Sequence, residues 1–474
     1  MKQLPVFLIL FMISQLMGYS QITPQQMVDK MGRGINIGNV LSAPVEGNWA
    51  APLTESYIED IATAGFTTVR IPIDFFGNRT SGDTSVYSKN ANTVASYTGT
   101  PSDYVVSATY LNRIEQIMTW TLNKNLVVIL DFHGSTLKDE FLHTFSTKSK
   151  YAAYYTHPTS AKRTADNEKF RAIWTAIANR FKNYSYDLLF EIVNEPFFTL
   201  TDAEMDVLNA DIISIIRASG GNNTDRNIVV TGGSKNSYEA PLQISSSVIT
   251  SDDNLIATFH YYWPRAFTAS ASEEHSDYDW GTPADKTEID TNFGAVQSWS
   301  QTNSIPVLLG EFGADNEGGY NYNTNTYGAF GGPEEASRIE FHRYLAQKAI
   351  DLGFAFTAWD AGHKSGKTIY IEPTRSWVVG VRDALLGTTL SSNNYNKSSK
   401  ILIFPNPASN FITIDTKDII NNIELFNLNG SLVFSNNKSK KSIINFPPLT
   451  NGMYILKAIF DDGSFSNHKI LINN

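Results

Sequence analysis

Two glutamates stand where strand-like runs end. Leu188-Leu189-Phe190-Glu191-Ile192-Val193 leads into Asn194-Glu195-Pro196, and Pro306-Val307-Leu308-Leu309-Gly310 leads into Glu311-Phe312-Gly313. Proline lacks the N–H that a ladder needs, so the first run must leave its sheet just after Glu195. A carboxylate on the last residue of a strand is firmly aimed, and both glutamates are expected at the rim of a sheet. Paired carboxyl groups suit general acid/base work. One protonates a leaving oxygen, while the other attacks an anomeric carbon or activates a water. The two need different pKa values in one pocket.

The elements that would position them follow from periodicity. Apolar runs centred on Ile35, Val69, Val128, Leu189, Val229, Ala257, Leu308 and Phe356 read as strands buried on both faces. Amphipathic helices separate them, as at 54–64, where Thr54 is a suitable N-cap and Gly65 a stop. The fifth unit has the weakest helix, around 240–247. Eight β/α units over this length predict an α/β fold, a closed (β/α)₈ TIM barrel over residues 21–387. No phosphate-cradling glycine motif follows a strand, which counts against a dinucleotide fold. Two long insertions, 74–107 and the stretch carrying Phe141, Tyr151, Tyr154 and Tyr155, read as functional or mobile loops.

In such a barrel the C-terminal strand ends converge on one pocket. The polar or aromatic residues there are Asn36, Arg70, His133, Asn194, Glu195, His260, Tyr262, Glu311 and Trp359. Arg70 beside Glu311 would hold it ionised, and Tyr262 could donate to the same carboxylate. Asn194 could bind a sugar hydroxyl, His260 could tune the acid, and Trp359 offers a flat face for a pyranose ring. Trp49, Phe75, Trp263, Trp280, Tyr320 and Trp377 are further stacking candidates, with Asn36, Trp263 and Trp280 grouped with Trp359 as substrate-binding. Taken singly, each has a plainer reading: Arg70 a structural ion pair, the histidines bonded to backbone, the aromatics packed in core or loops. Their convergence on one rim is what favours a site.

Composition narrows the partners. The chain of 474 residues has 12% aromatic and 18% charged residues, a balance suited to neutral, hydroxyl-rich ligands. Its formal net charge is -10, and from Lys400 onward seven lysines face five acidic residues, so the acidity belongs to the N-terminal part. No basic stripe offers itself to phosphates, which argues against nucleic acid as a partner. Without cysteine there is no disulfide, thiolate metal site or cysteine nucleophile. Lys2, the apolar run Val6 to Met17 and the small residues of Gly18-Tyr19-Ser20 read as a signal peptide over 1–20. No other segment is apolar and long enough to span a membrane, so the mature chain is expected to lack a transmembrane segment.

Residues 388–400 are polar and linker-like. Beyond them, short strands and the hairpin signals Asn429-Gly430 and Asp462-Gly463 predict a small all-β sandwich over 401–474.

The barrel resembles glycoside hydrolase family 5, the cellulase family, through GINIGNVL, TTVRIPI, VVILDFH, IVNEPF, ATFHYYWP, LLGEFG and FTAWDAG, in the family's order over about 32–387. The resemblance implies Glu195 as acid/base and Glu311 as nucleophile in a retaining double displacement without metal or cofactor. It also implies Arg70, His133, Asn194, His260, Tyr262 and Trp359 as the supporting set. One departure is His133-Gly134, where many members carry His-His. The C-terminal module resembles the type A sorting domain of bacterial type IX secretion, through Phe404-Pro405-Asn406-Pro407-Ala408, Leu425-Phe426-Asn427-Leu428-Asn429-Gly430 and Asn451-Gly452-Met453-Tyr454. That implies the type IX secretion machinery as a partner and an extracellular or cell-surface location. A carbohydrate-binding sandwich is the alternative for this module, but beyond Tyr395 it has few aromatic candidates.

The expected function is therefore a secreted endo-β-1,4-glucanase. Mannan, xyloglucan, mixed-linkage glucan or xylan are alternative substrates for the same chemistry. Two other classes remain: a metal-dependent hydrolase using Asp131, His133 and His260, which lacks the His-x-His usual on strand one, and a non-catalytic glycan-binding barrel, which both glutamates argue against.

Overall fold

The computed structural model describes residues 22–75, 77–90, 96–134, 157–196, 200–272, 278–388, 402–416, 420–427, 431–439, 442–460 and 465–473. The expected signal peptide, Phe141 and Tyr151 to Tyr155, all but the first residue of the 388–400 linker, and both hairpin turns lie outside these. The chain forms two compact units, Met1–Gly387 and Thr388–Asn474.

The first unit is a closed barrel of eight parallel strands in sequence order: β1 (Arg33–Asn36), β2 (Thr68–Ile73), β3 (Val127–Phe132), β4 (Leu188–Glu191), β5 (Ile228–Val230), β6 (Leu255–Tyr261), β7 (Val307–Phe312) and β8 (Ala355–Ala358). It is a TIM barrel. Helices link the strands, and their ends follow local chemistry. Thr54 Oγ1 accepts from Tyr57 N to start Glu55–Ala64, and Gly65 ends that helix in the left-handed region at φ 105. The fifth unit is the weak one, with only Ser246–Ile249 as a helix.

Sequence periodicity did not reveal α1 (Pro24–Met31), which carries a Thr23 capping box. Its Met27, Val28 and Met31 form one buried cluster with Val127, Ile129, Leu189, Val229, Ile256, Leu308 and Ala355 from six strands. The helix thus packs against side chains that fill the barrel.

Strand β4 is shorter than expected: it ends at Glu191, so Glu195 does not close it. Its neighbour β5 offers only three residues, and the ladder stops after Phe190↔Ile228 and Glu191↔Val229. The chain then turns inward, with Asn194 N donating to Phe132 O at 3.0 Å and Glu195 at φ 42.

The second unit has two antiparallel sheets. One pairs Leu402–Phe404, Phe411–Asp415 and Ser442–Asn445; the other pairs Leu432–Ser439, Ile420–Asn427, Gly452–Phe460 and Phe465–Ile472. Ile412, Ile414 and Ile444 from the first join Ile423, Leu425, Leu456 and Ile470 from the second in one core, as a sandwich requires.

Candidate active site

Parallel pairing sets the charged groups beside one another. Asn36 lies opposite Arg70, Asp131 opposite Glu191, and His260 opposite Glu311. Arg70 is fully buried, and a buried guanidinium needs compensation. It donates through Nε and Nη2 to the two oxygens of Glu191 at 2.7 and 2.9 Å, and Nη2 lies 3.0 Å from Asp131 Oδ2. Nη1 donates to Glu311 Oε1 at 2.7 Å and to Asn36 Oδ1 at 2.9 Å, while Nη2 also reaches Asn194 Oδ1 at 2.9 Å. Burial works against the guanidinium's charge, but Asp131, Glu191 and Glu311 outweigh it and push its pKa further up.

Glu311 is thereby held from two sides, because Tyr262 Oη donates to its Oε2 at 2.9 Å. Burial, then the charges of Glu311 and Glu195, hold the Tyr262 phenol far above its ordinary value, so it stays a donor. Gly310 makes room for the arrangement. A Cβ there would fall 2.7 Å from Thr258 Oγ1 and 2.9 Å from His260 Nε2.

Glu195 meets this group through His260, whose Nδ1 lies 2.8 Å from Glu195 Oε1 and 3.7 Å from Glu311 Oε2. One oxygen each of Glu195 and Glu311 and one ring nitrogen of His260 all lie within 4.8 Å of one another. Burial lowers the His260 pKa, but Glu311 and then Glu195 overcome it, and the net displacement is upward.

Above the carboxylates a cleft of about 640 Å³ is lined by Glu195, His260, Tyr262, Trp263, Glu311 and Trp359. Trp263 is 52% exposed at its wall. The Trp359 ring stacks on His133, with centroids 5.8 Å apart, and His133 Nδ1 is 2.9 Å from Asp131 Oδ2. Gly38 lets Trp359 lie where it does, since a Cβ there would come 2.7 Å from Trp359 Cζ2.

Residues 28–365 match the family described as Cellulase (glycosyl hydrolase family 5). The chain belongs to that family. Residues 402–473 match the secretion system C-terminal sorting domain. The chain is 32% identical over 368 residues to endoglucanase H of Acetivibrio thermocellus, an alignment covering 77% of this chain and 34% of that protein. It is 29% identical over 366 residues to endoglucanase B of Clostridium cellulovorans, covering 73% and 70%. The chain thus spans about a third of the first relative's length. A solved structure of a hyperthermophilic endo-β-1,4-glucanase in complex with substrate matches at TM-score 0.59 and 25% identity, over 77% of this chain and 100% of that one.

Against that family frame, two of the expected substrate-binding residues need correction. Asn36 is fully buried; its Nδ2 donates to Gly310 O and Thr357 O at 3.0 and 2.9 Å, and its oxygen serves Arg70. It braces the rim and offers nothing to a substrate. Trp280 is 6% exposed and packs edge-on against Phe341, with centroids 5.2 Å apart, so it belongs to the core.

The metal reading also loses its ligand set. Asp131 and His133 bond each other, while His260 belongs with the two glutamates. Among the described residues, the cluster with metal-ligand spacing is Glu195, His260 and Glu311. There a cation would compete with Arg70 and Tyr262, which already occupy both Glu311 oxygens.

Sequence reasoning missed Glu191, and it weighed Asp131 only as a metal ligand. Each is a carboxylate inside a continuous apolar run, and a buried acid implies a buried cation. That signal pointed to Arg70. It also missed Asn236, Arg265 and Lys367 on the cleft wall, which lie in the segments beyond the strand ends, Arg265 at the start of the short helix Arg265–Thr268.

Proposed function

We propose that this protein is an exported, retaining endo-β-1,4-glucanase with Glu195 as acid/base and Glu311 as nucleophile. The carrying observation is the approach of the two carboxylates, with oxygens within 4.8 Å. Double displacement uses carboxyl groups about 5–5.5 Å apart, whereas inversion leaves about 6.5–9.5 Å for a water. In the first step Glu195 gives its proton to the glycosidic oxygen as the bond to the anomeric carbon breaks. An electron pair of Glu311 forms the new C–O bond. In the second step Glu195, now a carboxylate, takes a proton from a water whose oxygen attacks that carbon, and Glu311 leaves.

Arg70 and Tyr262 keep Glu311 aimed, and His260 is the proton-sharing neighbour of Glu195. Asn194 gives its oxygen to Arg70, which leaves its NH₂ group for a sugar hydroxyl. Trp359 and Trp263 supply flat faces for pyranose rings. A β-1,4-glucan substrate is supported by the endoglucanase relatives. Export through the type IX machinery to the medium or cell surface is supported by the sorting-domain match and by the signal-peptide pattern of residues 1–20.

The test is the anomer released first from a soluble β-1,4-glucan oligosaccharide, followed by proton NMR. Retention gives β product before mutarotation; α product would overturn the assignment. A folded Glu311→Ala protein that kept most of its activity would overturn the roles.

A further inference from the structure

A second cavity, of about 450 Å³, adjoins the catalytic cleft and shares Lys367 with it. Its walls come from the segments after β6, β7 and β8, with Ala271, Asp315, Tyr320, Tyr327 and Lys364 among them. Asp315 lines the second cavity and anchors the shared lysine. Its Oδ2 accepts from Ala271 N at 2.9 Å and its Oδ1 pairs with Lys367 Nζ. The same ammonium lies 5.9 Å from the centroid of the Tyr262 ring, whose hydroxyl holds Glu311. One side chain therefore lines both the second cavity and the catalytic cleft.

The wall after β7 is close-packed despite its glycines. A Cβ on Gly319 would fall 2.1 Å from Gly331 O, and one on Gly332 would fall 2.2 Å from Gly319 N. These backbones touch because neither carries a side chain. Asn316, fully buried, fastens this segment to the one after β8: its Nδ2 donates to Ser365 O at 3.1 Å and its Oδ1 accepts from Thr368 N at 2.8 Å. On this support Tyr327 is displayed 68% exposed, with the Tyr320 ring set against it at 5.1 Å and 64°. A ring so exposed contributes little to a core, yet the Tyr320 ring packs against it. A flat aromatic face beside a charge-neutral Asp–Lys pair suits an uncharged, hydroxyl-rich ring.

We infer that this chamber is an accessory glycan site, binding a pyranose unit remote from the cleaved bond by stacking it on Tyr327 with its hydroxyls toward Asp315 and Lys364. The inference rests on the proposed glycosidase reading. The unit is either a more distant sugar of the main chain or a branch sugar, and both present the same chemistry.

The test compares full-length wild type, Tyr327→Ala and Tyr327→Phe on three substrates: an aryl β-cellobioside, unbranched β-1,4-gluco-oligosaccharides of increasing length, and a xylose-branched β-glucan. For Tyr327→Ala the expected result is unchanged kinetics on the aryl cellobioside. On the substrate that reaches the chamber, KM should rise about tenfold with kcat kept. A rise on the longer linear oligosaccharides identifies a main-chain sugar; a rise confined to the branched polymer identifies a branch. Tyr327→Phe, which keeps the ring face, should restore wild-type KM. Equal KM for wild type and Tyr327→Ala on every polymer, a loss shared by the aryl cellobioside, or no rescue by phenylalanine would each overturn the inference. Wild type inactive on all three would instead overturn the glycosidase reading beneath it.

Discussion

His260 Nδ1 lies 2.8 Å from Glu195 Oε1, so the proposed acid/base shares its hydrogen bond with an imidazole. The ring's pKa is raised above 6.5, because Glu311 and Glu195 together outweigh its burial. A raised folded-state value means that this proton stabilises the fold fully below about 6.5, the unfolded value, and ceases to do so as pH climbs through the folded value. Urea unfolding of wild type and His260→Gln from about pH 5.5 to 9 should therefore show the larger gap at the acidic end. A gap independent of pH would contradict the linkage.

Arg70 makes its two parallel bonds to one carboxylate with Glu191, and both side chains are shut away from solvent. Glu191→Ala should cost about 3 kcal/mol of unfolding free energy, since removing one partner of a buried pair strands the other. Chemical denaturation measures it. A cost below about 1 kcal/mol would mean that Asp131 and Glu311 compensate the guanidinium by themselves.

Glu311→Gln separates function from stability. The amide keeps the shape but removes one of three carboxylates gathered on Arg70. Turnover should fall about 10⁴-fold or more, while the melting temperature holds or rises, because active-site groups are commonly kept at a cost to stability. A marked drop in melting temperature would assign Glu311 a structural role instead.

Chelation tests the three-residue cluster directly. Dialysis against EDTA should leave turnover unchanged, because Arg70 and Tyr262 already serve both oxygens of Glu311. Loss of activity restored by a divalent cation would revive the metal reading.

The eight strands were legible because burial on both faces writes an unbroken apolar run into the sequence. The helix Pro24–Met31 was not, since it is only eight residues long and its three buried side chains face a barrel interior assembled from distant segments. Glu195 and Glu311 were found through their positions near strand ends, although the ladder leaves Glu195 in a segment beyond β4. Asn36 was misread because a buried amide serving backbone carbonyls looks, in sequence, like one offered to a ligand. Trp280 was misread for a related reason: a tryptophan outside the regular elements shows its face only once Phe341 is placed beside it. Tyr327 was passed over because its exposure depends on glycine contacts far from any periodic pattern.

The crowding around Arg70 also has a consequence for charge at the proposed point of cleavage. Asp131, Glu191 and Glu311 all bear on one guanidinium, and Glu195 lies just beyond. Carboxylates thus outnumber the fixed cation in a region where Arg70, Asp131 and Glu191 are buried and fields are screened weakly. An oxocarbenium-like centre forming over this floor gains from the local potential. A uronic acid brought to the same spot would be repelled, so glycans carrying carboxylates should be cleaved only where their charged sugars lie away from the two glutamates.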